Sequence, residues 1–147
     1  TQTVSEKLSL LATEKISVNI DDIFEDYAEF KEQNHAEATY ASKIAKSEGQ
    51  INWNNTAENI IGKINGLYPS PGAWFIYKGE RYKILKAEIS SGLGEVGQVL
   101  DNYLEISCNN KKSIKVIEIQ RQGKRPQNIS EFMLGSQIKK GSNLNNA

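Results

Sequence analysis

Ala38-Thr39-Tyr40-Ala41-Ser42-Lys43-Ile44-Ala45-Lys46-Ser47-Glu48-Gly49-Gln50-Ile51-Asn52-Trp53 is the stretch on which the reading of this chain turns. Its apolar residues, Tyr40, Ile44, Ile51 and Trp53, keep neither the three-and-four spacing of a helix nor the alternation of a strand. They read as anchors of a connector, with Lys43, Lys46 and Glu48 between them. Before this stretch the sequence is acidic and helical; after it, basic and strand-like. Residues 1–50 hold 5 Lys/Arg against 10 Asp/Glu, a net of −5, and subtraction from the totals of 18 and 18 leaves 13 against 8, a net of +5, for residues 51–147. A formal charge of zero conceals this polarity. It points to a polyanion partner for the second half, although ordinary solvated lysines would give the same count.

A chain of 147 residues has room for one good domain, or for one small domain and a piece of another. At 38% hydrophobic residues it can bury a core. No apolar run approaches the ~18 residues of a membrane span. The single cysteine, Cys108, excludes an internal disulfide and fits a reducing, cytoplasmic compartment. It alternates with Leu104 and Ile106 and reads as a buried thiol. The only methionine is Met133 and the chain opens at Thr1, as expected of a piece of a longer polypeptide.

Working outward, residues 4 to about 30 read as an amphipathic helix with Val4, Leu8, Leu11, Ile20, Ile23, Phe24 and Tyr27 on one face, and Thr3 with Glu6 at capping-box spacing. On the far side of the connector, Asn55 and Thr56 announce a second helix carrying Ala57, Ile60, Ile61 and Ile64, with Gly66 as its stop. Tyr68-Pro69-Ser70-Pro71-Gly72 is a rigid turn. Five strands follow: Ala73–Tyr77, Arg81–Ile89, Gly97–Leu100, Tyr103–Cys108 and Ser113–Ile119, the first two joined at Lys78-Gly79-Glu80. Five short strands behind a helix predict a small closed or nearly closed barrel, which leaves no raw edges. Asn128 to Gly135 reads as a final helix with Phe132 and either Met133 or Leu134 inward, and 139–147 as a frayed polar tail.

No catalytic constellation emerges. His35 is the only histidine and stands in a polar linker, without the further ligands a metal needs. Gly92-Leu93-Gly94-Glu95-Val96-Gly97 spells G-x-G-x-x-G but precedes a strand. It lacks the helix N-terminus that would hold a pyrophosphate, and reads as a flexible loop. The basic residues are more informative. Arg81, Lys83 and Lys86 lie on one strand, Arg121, Lys124 and Arg125 in the loop after the last strand, and Lys111, Lys112 and Lys115 form a third group. Cations on the strands and loops of a small barrel suit a nucleic-acid backbone, held through phosphates without reading sequence. Trp53, Trp74, Phe75 and Tyr77 are either stacking platforms or core.

Ala38-Thr39-Tyr40-Ala41, Lys43-Ile44, Ile51 and Trp53 resemble the A-T-Y-A-x-K-I and I-x-W junction of the methionyl-tRNA formyltransferase family. The likeness continues through Ala57-Glu58-Asn59-Ile60, Tyr68 to Ala73, Lys83-Ile84 and Gly97-Gln98-Val99-Leu100. Gln120-Arg121-Gln122-Gly123-Lys124-Arg125-Pro126, with Glu131 to Gly135 behind it, resembles the family's Q-x-x-G-K-[KR]-x-M and F-x-x-G, except that Gln127 stands where methionine is common. Residues 4–30 look like the last helix of the family's catalytic domain. The resemblance covers nearly the whole chain; its motifs are specific as a set and weak singly.

The resemblance implies a division into the closing helix of an otherwise absent formyltransferase domain (1–32), a linker (33–50), an OB-like Greek-key barrel (51–138) and a tail (139–147). The Rossmann-like domain that binds 10-formyltetrahydrofolate, its Asn/His/Asp set and its Ser-Leu-Leu-Pro signature have no counterpart in this sequence. The fragment is thus expected to hold no cofactor, metal or catalytic residue; the folate is the formyl donor of the full-length parent. The expected partner is initiator methionyl-tRNA, bound by a monomer away from membranes. The tRNA contacts expected are Lys43, Lys46, Arg81, Lys83, Lys86, Arg121, Lys124 and Arg125; Lys43, Lys83, Lys124 and Arg125 match family motifs, while Lys46 and Lys86 are placed by charge and proximity. Two alternatives stand beside this: the C-terminal barrel of another formyltransferase-type enzyme (10-formyltetrahydrofolate dehydrogenase or a nucleotide-sugar formyltransferase), and a stand-alone OB-type module.

Overall fold

In the computed structural model, which describes residues 2–145, helix α1 runs from Gln2 to Phe24 and stops short of residue 30. The reason is local: Asp26 takes φ +58°, and the amides of Tyr27 and Ala28 both reach the Asp22 carbonyl, at 2.8 and 3.0 Å. That left-handed cap satisfies carbonyls of the last turn and ends the helix. Thr3 lies inside the first turn, so it is not an N-cap. Val4, Leu8, Leu11 and Ile23 are exposed along the helix, and so are Leu10 and Val18 on other sides. A 3₁₀ turn follows at His35–Glu37, where Asn34 accepts the Ala36 amide. These elements belong to the first of two compact units, Thr1–Lys43; the second is Ile44–Ala147.

The second unit is a mixed helix and sheet domain. Helix α2 (Ala57–Leu67) starts as its sequence dictates, the Thr56 hydroxyl accepting the Asn59 amide at 3.2 Å. It passes through Gly66 and ends one residue later, because Tyr68 precedes a proline and is excluded from helical angles (φ −72°, ψ 139°). Strands β1 (Ala73–Tyr77) and β2 (Glu80–Ser90) form a hairpin on Lys78-Gly79, both at positive φ, the turn type that matches strand twist. Strands β3 (Glu105–Ser107), β4 (Ser113–Arg121) and β5 (Gln127–Asn128) complete an antiparallel sheet of order β1-β2-β4-β3, with β5 also on β4. Helix α3 (Ile129–Gly135) begins at Asn128, whose side chain accepts the Ser130 amide.

The sheet stays open: among the described residues β1 and β3 do not pair, so the barrel expected from the sequence does not close. Each outer edge is instead met by a short bridge, Gln50 on Trp74 and Val99 on Ile106. Single bridges of this kind occupy an edge without extending it. Leu104 at φ +59° breaks the expected strand Tyr103–Cys108 down to three residues, and Gly97–Leu100 contributes only bridges at Gln98 and Val99. Two further expectations are corrected. The Gly92–Gly97 loop is tied rather than free: the Gly92 amide donates to Glu105 Oε1 (3.1 Å) and Ser113 Oγ (2.8 Å). The tail is fastened through residue 145, since Gly141 and Leu144 donate to the carbonyls of Val99 and Gly97, and Ile138 and Leu144 are buried.

The core lies between α2, α3 and the inner face of the sheet. Ile60 and Ile64 of α2 meet Ile84, Ile114, Val116 and Ile119. A chain of aromatic rings, Trp53–Phe75–Tyr82–Phe132, has centroids 5.8, 5.5 and 5.8 Å apart, edge-on, stacked and edge-on. Phe132 faces inward with Met133 partly covered, while Leu134 is exposed. Cys108 is buried as its alternation predicts, and burial pushes its thiol up to about 11.

Trp53 sits at the head of the aromatic chain with its Nε1 buried and unpaired among the described residues. Trp53→Ala is expected to cost about 3–5 kcal/mol of folding free energy. Trp53→Phe should cost less than half of that, since it also removes an orphaned donor. Equilibrium urea unfolding followed by circular dichroism measures both; equal losses would contradict this account.

Candidate nucleic-acid interface

The outward positions of β2 carry Arg81 and Lys83. Tyr82 and Ile84 of β2 turn inward and are buried, so Arg81 and Lys83 face outward, beside Ile76 and Trp74 of β1 and with Gln120 of β4 opposite Lys83. The Arg81 guanidinium lies over the Trp74 ring, 5.4 Å from its centroid. The Lys83 stem passes Gly72 so closely that a Cβ there would stand 3.1 Å from its Cδ. The loop after β4 is fastened to the same place: the Gln122 amide donates to the Arg81 carbonyl (2.9 Å), Lys124 to Arg121 (3.0 Å), and Gln120 Nε2 to the Lys124 carbonyl (2.8 Å). Arg81, Lys83 and Gln120–Gly123 thereby enclose a cleft of about 180 Å³.

A second cleft, of about 350 Å³, opens between this loop and α3, lined by Arg121, Lys124 and Arg125 together with Glu80, Glu131 and Phe132. Arg121 borders both clefts. Its charge is already balanced by an ion pair with Glu80, whose other oxygen accepts the Tyr82 hydroxyl at 2.8 Å. Arg121 and then Tyr82 hold the Glu80 carboxyl below its ordinary value, while burial and the Glu80 bond push the Tyr82 phenol up to about 12.

The remaining expected contacts are placed differently. A register irregularity between Ile84 and Ala87 turns Lys86 outward, where Glu118 stands directly opposite. Lys46 is exposed in the 3₁₀ turn Lys46–Gly49, with its carbonyl accepting the Trp74 indole N–H at 3.0 Å. Lys43 is the last residue of the first unit and is exposed there. Two members of the third basic group face carboxylates: Lys112 is paired with Glu58, and Lys115 lies between Glu88 and Glu105 in the sheet register. Among the described residues none of Lys46, Arg81, Lys83, Lys124 and Arg125 is in an ion pair.

Of the aromatic residues, Trp53 and Phe75 are core, whereas Trp74 and Tyr77 are half-buried and carry cations on their faces, Arg81 and Lys78 respectively. Lys63, which no sequence signal singles out, commits its ammonium to the carbonyls of Glu48 (2.9 Å) and Gln50 (3.0 Å).

The second unit is thus a small mixed helix and sheet domain, with an open antiparallel sheet and unpaired cations along two clefts. The chain belongs to the formyl transferase C-terminal domain family, whose model matches residues 43–137. It is 68% identical over 145 residues to a methionyl-tRNA formyltransferase of Pelagibacter ubique, covering 99% of this chain and 47% of that protein. It is also 42% identical over 106 residues to a methionyl-tRNA formyltransferase of Paramagnetospirillum magneticum, covering 72% and 34%. The chain thus spans about half the length, or less, of these curated relatives. The fold is shared with the crystal structure of HypX from Aquifex aeolicus in complex with tetrahydrofolic acid, at a TM-score of 0.64 and 17% identity, over 86% of this chain and 24% of HypX.

The Glu80–Arg121 pair has a defined pH signature. A carboxyl depressed in the folded state contributes stability that is complete above its unfolded pKa and is lost as pH falls through the folded value. The Glu80 carboxyl should therefore titrate below 4.5 by carbon-13 NMR, and Arg121→Met should move it back up. An unmoved midpoint in the variant would show that Arg121 is not the cause.

Proposed function

We propose that this chain is the C-terminal, RNA-supporting part of a methionyl-tRNA formyltransferase. In that enzyme a formyl group passes from 10-formyltetrahydrofolate to the amino group of methionine on initiator tRNA, in the cytoplasm, at the start of translation. The observation that carries the reading is the set of unpaired cations along the two clefts, Arg81, Lys83, Lys124 and Arg125, on a member of this family. Such charges act on phosphates and position a polyanion without reading its bases. Lys43 and Lys46 contribute from the connector. Lys86 and Arg121 contribute less, because Glu118 and Glu80 already stand against them. In this reading the open sheet is an OB-like unit whose edges are capped by bridges in place of closure.

Holding the charged end of the tRNA beside the formyl donor is the step such a surface serves, since orientation alone removes much of the barrier to a two-substrate reaction. The chain by itself binds tRNA weakly, without preference for the initiator, and transfers no formyl group.

The experiment is tRNA binding by this chain over a KCl series, with initiator and elongator tRNA in parallel. The affinity should fall steeply with salt and barely distinguish the two tRNAs. Replacing Lys124 and Arg125 together by Met should lower the slope of log K against log salt by about 2 units, roughly one for each phosphate no longer held. Binding that is absent at low salt, or insensitive to salt, would overturn the reading.

A further inference from the structure

Trp74 is the meeting point of two chain segments that the sequence separates. Its backbone carbonyl accepts the Ile51 amide at 2.7 Å and its indole N–H donates to the Lys46 carbonyl at 3.0 Å, so β1 grips both ends of the segment 46–51. On its other side the ring carries the Arg81 guanidinium. The segment between the two grips has no slack. Gly49 is buried against it, and a Cβ there would stand 2.4 Å from the Gly72 carbonyl and 2.9 Å from the indole. Glu48 turns back to accept the Ala45 amide at 2.6 Å, and Lys63 of α2 closes the arrangement from the opposite side by donating to the carbonyls of Glu48 and Gln50.

The electrostatics of this corner differ from those around Arg121 and Lys112. Elsewhere Arg121 faces Glu80 and Lys112 faces Glu58, so those charges are balanced within the fold. Here Arg81 is supported by an aromatic face, which orients a guanidinium without neutralising it. Lys46 is held through its backbone, which leaves its ammonium uncommitted. The one acidic side chain on the segment, Glu48, is turned to a backbone amide. Lys83, the residue opposite Trp74 in the β1–β2 register, adds a third unpaired cation.

We propose that Trp74 organises Lys46, Arg81 and Lys83 into one composite phosphate-binding site for an RNA backbone, with Trp74 and Lys63 as positioning residues that touch no phosphate themselves. The site rests on the tRNA-supporting reading above. It deepens that reading by making the connector and the sheet a single binding element: Lys46 is brought to the sheet by the indole N–H, and Arg81 is aimed by the indole face. Loss of the ring should therefore remove two cations from the interface although neither is mutated.

The test is the slope of log K against log[KCl] for tRNA binding by the intact chain and by Trp74→Phe, Trp74→Leu and Lys63→Met. Trp74→Phe keeps an aromatic face under Arg81 but has no N–H for the Lys46 carbonyl, and should lower the slope by about 1 unit. Trp74→Leu loses both and should lower it by about 2 units. Lys63→Met should match Trp74→Phe, and amide exchange at residues 47–51 should accelerate in both. A Trp74→Leu chain with native circular dichroism and an unchanged slope would overturn the composite site while leaving the tRNA-supporting reading intact. If Trp74→Leu does not fold, an unchanged slope and unchanged amide exchange in Trp74→Phe overturn it in the same way. An intact chain whose binding shows no salt dependence would overturn both.

Discussion

Pairing between β2 and β4 is the constraint on which the rest depends. Its register sets Tyr82 against Arg121, Lys83 against Gln120 and Ile84 against Ile119. That single alignment buries Tyr82, Ile84 and Ile119 on the helix side, sends Arg81 and Lys83 to the open side, and delivers the loop after β4 to the carbonyl of Arg81. A slip of one residue would exchange the two faces, burying cations and exposing the core, so the hydrophobic pattern that stabilises the fold also fixes the surface. The one irregularity falls between Ile84 and Ala87, and its effect is to keep Lys86 outward, opposite Glu118.

The surface charges divide by what supports them. Arg121, Lys112, Lys86 and Lys115 have carboxylates across from them and serve the fold, each contributing modestly because they are exposed. Arg81, Lys83 and Lys124 are placed by an aromatic face, a glycine and backbone hydrogen bonds, which orient a cation without neutralising it. A count of lysines and arginines cannot make this distinction. The pairing partners are 41 and 54 residues away in sequence, and only the fold brings them together.

Much of the second unit is legible in the sequence because its signals are local. Thr56 caps α2 through its own hydroxyl, Lys78-Gly79 makes the hairpin, and alternation along β2 and β4 names the buried isoleucines and the outward cations. What is not legible depends on contacts between distant residues or on competition between neighbouring signals. Gly66 reads as a helix stop, but the proline after Tyr68 decides the end. The tail reads as polar and free, yet Leu144 and the Val99 backbone hold it. The sheet reads as a closed or nearly closed barrel because strand count alone cannot tell an edge covered by one bridge from an edge fully paired. In the candidate site, spacing along β2 names Arg81 and Lys83, but Trp74, flanked by apolar residues, reads more readily as core although it is half-buried. Lys63 carries no signal, since a lysine that donates to carbonyls resembles any solvated lysine.

Cations without carboxylate partners, and not basic residues in general, make the RNA-facing surface proposed for this chain. Lysine acetylation with and without bound tRNA, followed residue by residue by mass spectrometry, tests this most directly. The expected result is that tRNA protects Lys83 and Lys124 strongly and Lys86 little, and leaves Lys112 and Lys115 as reactive as in the free chain. Protection centred on Lys111–Lys115, with Lys83 and Lys124 unprotected, would contradict it.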